Sequence, residues 1–231
     1  MLRIIIGNKA YSSWSLRGWL AVKQSGLPFE EVVLPMYDDN WETRKRESDL
    51  AVSNGKVPTL WDGPVAVWDS IAIIDWLDAQ TGGTRFWPQD KAALALARSI
   101  SAEMHSGYVP LRKACCMNVR RSYPPQTPSA AVLENVERIC TLWEQARTRF
   151  GKDGDFLFGA FGAADIMFAP VASRFTTYAL PATPVAQAYV DAVMAHPWIA
   201  QWVTEAHGES WVLPQYEQGA DYIEPDLVLT K

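Results

Sequence analysis

Apolar and polar positions follow two regimes along the chain, changing near residue 82. In the first, short apolar runs alternate with helical periodicity. Arg3–Ile6 is a compact β-type run, and Gly7–Tyr11 leaves it as a loop. Leu16, Trp19, Leu20 and Val22 then recur at helical spacing behind Ser12 or Ser13 as a cap, and the pattern stops at Gly26-Leu27-Pro28. Phe29–Leu34 reads as a second strand. The mixed charges of Asp38–Ser53 predict a solvated surface, irregular or helical, rather than a site. Val57–Trp61 and Val65–Val67, separated by Asp62-Gly63-Pro64, form a β-hairpin pattern with Pro58 at its start. Asp69-Ser70 then opens a helix with Ile71, Ile74 and Leu77 on one face. By itself the Gly55–Leu77 stretch reads equally as a capped ββα unit or as a seat for a small anion at a helix N-terminus.

Beyond the linker Thr81–Pro88 the pattern turns to long helices. Ala93, Ala97, Ile100, Met104, Tyr108, Leu111 and Cys115 share one face, with a kink or break expected at Pro110. Ser122–Ser129, with three prolines, is a loop. Leu133, Val136, Cys140, Trp143 and Phe150 mark a second helix. Gly162-Ala163-Ala164-Asp165 opens a third, apolar on most sides and therefore the centre of a bundle. Pro184–Ala195 and Pro197–Ala206 each begin with a first-turn proline, and the tail from Gly208 to Lys231 has no clear period. The order β-α-β-α-β-β-α followed only by helices predicts an α/β plus all-α protein: a four-stranded thioredoxin-like domain over 1–82 with its first two strands parallel, then a helical domain over 87–231.

Composition narrows the partners. The 231 residues are 48% hydrophobic and 20% charged with a net charge of −5, a soluble globular balance that argues against nucleic acid. No apolar run nears membrane-spanning length and the N-terminal one is short for a signal peptide, so a cytoplasmic location is expected. Cys115, Cys116 and Cys140 form neither a paired framework nor a metal spacing. The first 82 residues contain no cysteine, which excludes dithiol–disulfide exchange there.

Four motifs stand in order: Tyr11-Ser12-Ser13-Trp14-Ser15-Leu16-Arg17, Lys56-Val57-Pro58-Thr59-Leu60, Asp69-Ser70-Ile71-Ala72-Ile73 and Ala164-Asp165-Ile166. With this layout the chain resembles the cytosolic glutathione transferase superfamily over nearly its whole length. The Ser-Ser-Trp-Ser-Leu-Arg stretch looks most like bacterial serine-type and zeta-class members. Gly162 departs from the family's Ser or Thr before the central helix, a change that costs an N-cap only a few tenths of a kcal/mol.

The resemblance implies that glutathione, a co-substrate, lies beside the Pro58 loop. There Val57 would pair with its cysteinyl backbone, and Asp69 and Ser70 would take its γ-glutamyl end. Lys56 or the 40–46 segment would reach its glycyl carboxylate, with Tyr11 and Trp14 close by. A free thiol ionises near pH 8.5, and lowering that by ~2 units takes ~2.7 kcal/mol. A hydroxyl donating to a charged acceptor contributes about 1.5–3 kcal/mol and a helix N-terminus about 0.3–1 kcal/mol, so neither metal nor histidine is required. Ser12 is the first choice for that hydroxyl, then Ser13, then Tyr11; each serine also reads as a plain cap. The electrophile pocket is expected between the first helix and Met104, His105, Tyr108 and Arg112. His105 and Arg112 are available for an acidic substrate, Met104 and Tyr108 read first as bundle core and second as pocket lining, and Arg17 is expected to pair locally or across a subunit interface. His196 and His207 read as structural.

The implied activity is glutathione transfer to a small electrophile. Alternatives are glutathione-dependent cis–trans isomerisation of an unsaturated diacid, as in maleylacetoacetate isomerases, and a non-catalytic binding module. The resemblance also implies a homodimer.

Overall fold

The computed structural model describes residues 1–217 apart from 126. Strand β1 (Leu2–Gly7) carries almost entirely buried residues and lies at the centre of the first half. Helix α1 (Ser13–Ser25) leaves it, capped by Ser12 and stopped at left-handed Gly26, and β2 (Phe29–Leu34) returns parallel to β1. The charged 38–53 segment folds into two short helices, α2 (Trp41–Arg44) and α3 (Ser48–Ala51). Trp41 and Leu50 anchor them against Ile5 and Met36. After the cis Val57–Pro58 peptide come β3 (Thr59–Asp62) and β4 (Val65–Trp68). β3 runs antiparallel to both β1 and β4, giving the sheet order β2-β1-β3-β4. Helix α4 (Ser70–Gln80) starts at Asp69 and packs on α1. At Gly18 of α1 the backbone passes so close to Pro58 that a Cβ would fall 2.5 Å from the proline's own Cβ. The absence of a side chain there presses the proline loop against the start of the helical layer.

The second half is helical: α5 (Lys91–Ser106), α6 (Val109–Ala114), α7 (Ala130–Phe150), α8 (Ala163–Tyr178), α9 (Pro184–Ala195) and α10 (Pro197–His207), then a 3₁₀ turn at Pro214–Tyr216. The expected break near Pro110 falls earlier, at Gly107 and at left-handed Tyr108. Pro110 itself sits in the first turn of α6, where its missing N–H breaks no bond. Helix α8 is buried on almost every side and touches α1, α5 and α9. Leu133 and Phe150, expected on the inner face of α7, are only half-buried; Val132, Ile139 and Ala146 fill it with Val136, Cys140 and Trp143.

The start of α8 is locked by Asp165, whose carboxylate accepts from the Gly162 N–H at 2.9 Å and the Leu157 N–H at 3.1 Å. Glycine at 162 thus leaves the cap in the hands of Asp165. His196 caps α10 and stacks on Phe161 at 4.2 Å, a structural role as expected. All three cysteines are free thiols.

Candidate active site

The two serines at the head of α1 face different surroundings. Ser12 is buried: its Oγ accepts from the Ser15 N–H and donates to the Ser15 Oγ at 2.8 Å, and the Ser15 Oγ in turn accepts from the Gly7 N–H. That hydroxyl is committed to closing the β1–α1 turn. Ser13, in the first turn of α1, is half-buried and makes no side-chain hydrogen bond among the described residues. It lines a cleft with Arg17, Met104, Tyr108, Leu111, Arg112, Val171 and Arg174. Of the two serines, Ser13 is the one that lines this cleft. Replacing Ser12 by Ala is expected to lower stability by about 1 kcal/mol, a drop of about 2–4 °C in a thermal melt.

Tyr11, the third candidate donor, is turned away. Its hydroxyl donates to Glu217 Oε1 at 2.6 Å and accepts from Arg120, and burial pushes its ionisation well up. The Tyr11 ring stacks on Tyr216 at 5.7 Å, so the C-terminal segment fastens it outside the cleft.

On the opposite wall, Asp69 caps α4 with φ +73°, a left-handed conformation that is rare for a residue other than glycine. Its Oδ1 accepts from the Ile71 N–H, while His105 Nε2 from α5 lies 2.9 Å from both carboxylate oxygens. The carboxylate thus bridges the two halves and remains half-exposed. Ser70 is buried beside Met167, its Oγ 3.9 Å from the sulfur. Lys56 is exposed, its backbone held by Ser53 and its carbonyl also accepting from Thr59. The N–H and C=O of Val57, just before the cis peptide, engage in no hydrogen bond among the described residues, so an extended ligand could pair there.

Met104 and Tyr108 are both core and lining: each is buried, and the Tyr108 hydroxyl donates to Glu103 at 2.7 Å. Trp14 lies under two guanidinium groups, Arg17 4.6 Å and Arg112 4.9 Å from its ring centre, with the His105 ring 5.3 Å away. Among the described residues Arg17 pairs with no carboxylate. It is 1% exposed, donating from Nε to the Met167 carbonyl at 2.9 Å and from Nη1 to that of Ser13. Sequence reasoning passed over Arg174, which lies in the apolar α8. An arginine within a helix that is buried all round was the available signal.

A four-stranded mixed sheet with a cis-proline loop, followed by an all-helical half, defines a thioredoxin-like domain joined to a helical one. The chain belongs to the glutathione S-transferase family and is a glutathione transferase enzyme. The family's N-terminal domain model matches residues 11–80 and its C-terminal domain model residues 126–205, together well over half of the chain. It is 27% identical over 179 residues to glutathione S-transferase GstB of Escherichia coli K12, covering 74% of this chain and 86% of that one. Over 100 residues it is 30% identical to the maleylacetoacetate isomerase of Rattus norvegicus, covering 43% and 45%. In fold it is similar to a Burkholderia glutathione transferase homologue solved with bound glutathione, at TM-score 0.66 and 21% identity over 90% of this chain and 98% of that one. Among the described residues no helix is long and apolar enough to cross a membrane.

Proposed function

We propose that this enzyme ionises the thiol of bound glutathione against the Ser13 hydroxyl and delivers the thiolate to a small electrophile in the cleft between α1 and α5–α6. The observation that carries the reading is the contrast between the serines: the Ser12 hydroxyl is engaged on both its donor and acceptor sides, whereas Ser13 lines the cleft and its hydroxyl makes no hydrogen bond among the described residues. Ser13 also lies in the first turn of α1, where unpaired N–H groups favour an anion. Val57 offers backbone groups for the cysteinyl unit. Ser70, at the N-terminus of α4, is suited to the γ-glutamyl carboxylate and Asp69 to its ammonium, and exposed Lys56 is free to reach the glycyl carboxylate.

Asp69→Asn tests the binding half of this reading, because asparagine keeps a cap and tolerates the left-handed backbone while losing the charge. Glutathione affinity in a calorimetric titration is expected to fall about tenfold, the loss of one charge-assisted contact in a half-exposed site. Wild-type affinity in that variant would remove Asp69 from the site.

A further inference from the structure

Three guanidinium groups, from Arg17, Arg112 and Arg174, line one side of the cleft that Ser13 opens into. Arg17 and Arg174 are buried and Arg112 is half-buried. Among the described residues none of the three forms an ion pair with a carboxylate. Asp69, the acid that acts on Arg17 from a distance, is already engaged by His105.

The three are held by backbone carbonyls instead. Arg17 donates to Met167 and Ser13. Arg112 donates from Nη2 to Met104 and His105. Arg174 donates from Nε to Cys115 at 2.7 Å and from Nη1 to Pro170 at 2.6 Å. A guanidinium has five N–H donors, so each group keeps some in reserve, and Arg112 Nε is buried with no hydrogen-bond partner among the described residues.

Burial and mutual repulsion make the arrangement costly. Burial first, then Arg112 and Arg174, pull the Arg17 ionisation down, and burial followed by Arg112 lowers that of Arg174 to about 10. Uncompensated buried charge costs several kcal/mol per ion, and a bound anion would remove that penalty while filling the spare donors in the bidentate manner guanidiniums favour.

Resting on the thiolate reading above, we infer that the electrophile carries a carboxylate, which sits among Arg17, Arg112 and Arg174 and turns its reactive carbon toward the thiolate at Ser13.

Iodoacetate and iodoacetamide form a matched pair, alike in size and leaving group but differing in charge. In either, the glutathione sulfur bonds to the methylene carbon, the C–I electron pair leaves as iodide, and the thiol proton passes to solvent. Each initial rate of thiol loss is divided by its uncatalysed rate with glutathione alone. The enhancement for iodoacetate is expected to exceed that for iodoacetamide at least about tenfold, and Arg112→Gln to erase most of that ratio. In the wild-type enzyme propanoate should compete with iodoacetate and propanamide should not, an arm that needs no variant to fold. Equal enhancements with thiolate absorbance present would overturn the carboxylate inference and leave the Ser13 reading intact. Absence of thiolate absorbance on adding glutathione would overturn both.

Discussion

Ser13→Ala is expected to return the bound glutathione thiol toward its free ionisation near pH 8.5 and to cut kcat/KM at pH 6.5 by about 10–100-fold. That range corresponds to losing one hydroxyl donor to a charged acceptor, about 1.5–3 kcal/mol. Between pH 6.5 and 9 the deficit should shrink, because alkaline solution ionises the thiol without the serine. Ser13→Thr, which keeps a hydroxyl at the same helix position, should recover most of the rate. Stopped-flow or steady-state profiles of both variants against pH check this. A deficit independent of pH would indicate that Ser13 positions substrate rather than stabilises sulfur.

The second large effect is on stability. Asp165 is 1% exposed and holds two backbone N–H groups at the entrance to α8. Asp165→Ala leaves both donors without that acceptor in the interior, at about 1–3 kcal/mol each. We expect a loss of about 3 kcal/mol and a melting temperature lower by about 6–12 °C. Burial raises the Asp165 ionisation to about 6 in the folded protein, above the 3.8 of an unperturbed group. Between those values the folded protein holds the proton more tightly than the unfolded chain. The contribution of Asp165 therefore favours folding more as pH falls from about 6 toward 4 and less as it rises. Urea melts of wild type and Asp165→Ala across that window should show the stability gap widening toward acid, less whatever the neutral carboxyl loses as an acceptor. A gap that narrows toward acid would contradict the assignment.

Much of the architecture is legible in residue order because its signals are local. Gly26-Leu27-Pro28 ends α1, Asp69 caps α4, and the alternation of short strands with helical faces gives the element sequence of the first half. Where reading fails, the deciding contact is distant or depends on register. Pro110 looks like the helix breaker, yet the chain turns at Gly107 and Tyr108, since proline fits the first turn of the helix that follows. Tyr11 looks available beside the serines until Glu217, 206 residues away in sequence, takes its hydroxyl. Ser12 and Ser13 are separable only once the cap is placed, because the cap residue must turn its side chain back on the first helical turn. Arg174 is hidden by its apolar neighbours, and Arg17 reads as an ordinary pairing residue. Only their convergence across α1 and α8 gives either a reason to be in the cleft.

The central claim is that a serine hydroxyl at the head of the first helix keeps the glutathione sulfur ionised at neutral pH. Its most direct test is the ultraviolet difference absorbance of the thiolate, titrated against pH with glutathione saturating the wild-type enzyme. A midpoint near 6.5, about two units below that of a free thiol, is the predicted result. A midpoint that stays near 8.5 would contradict it.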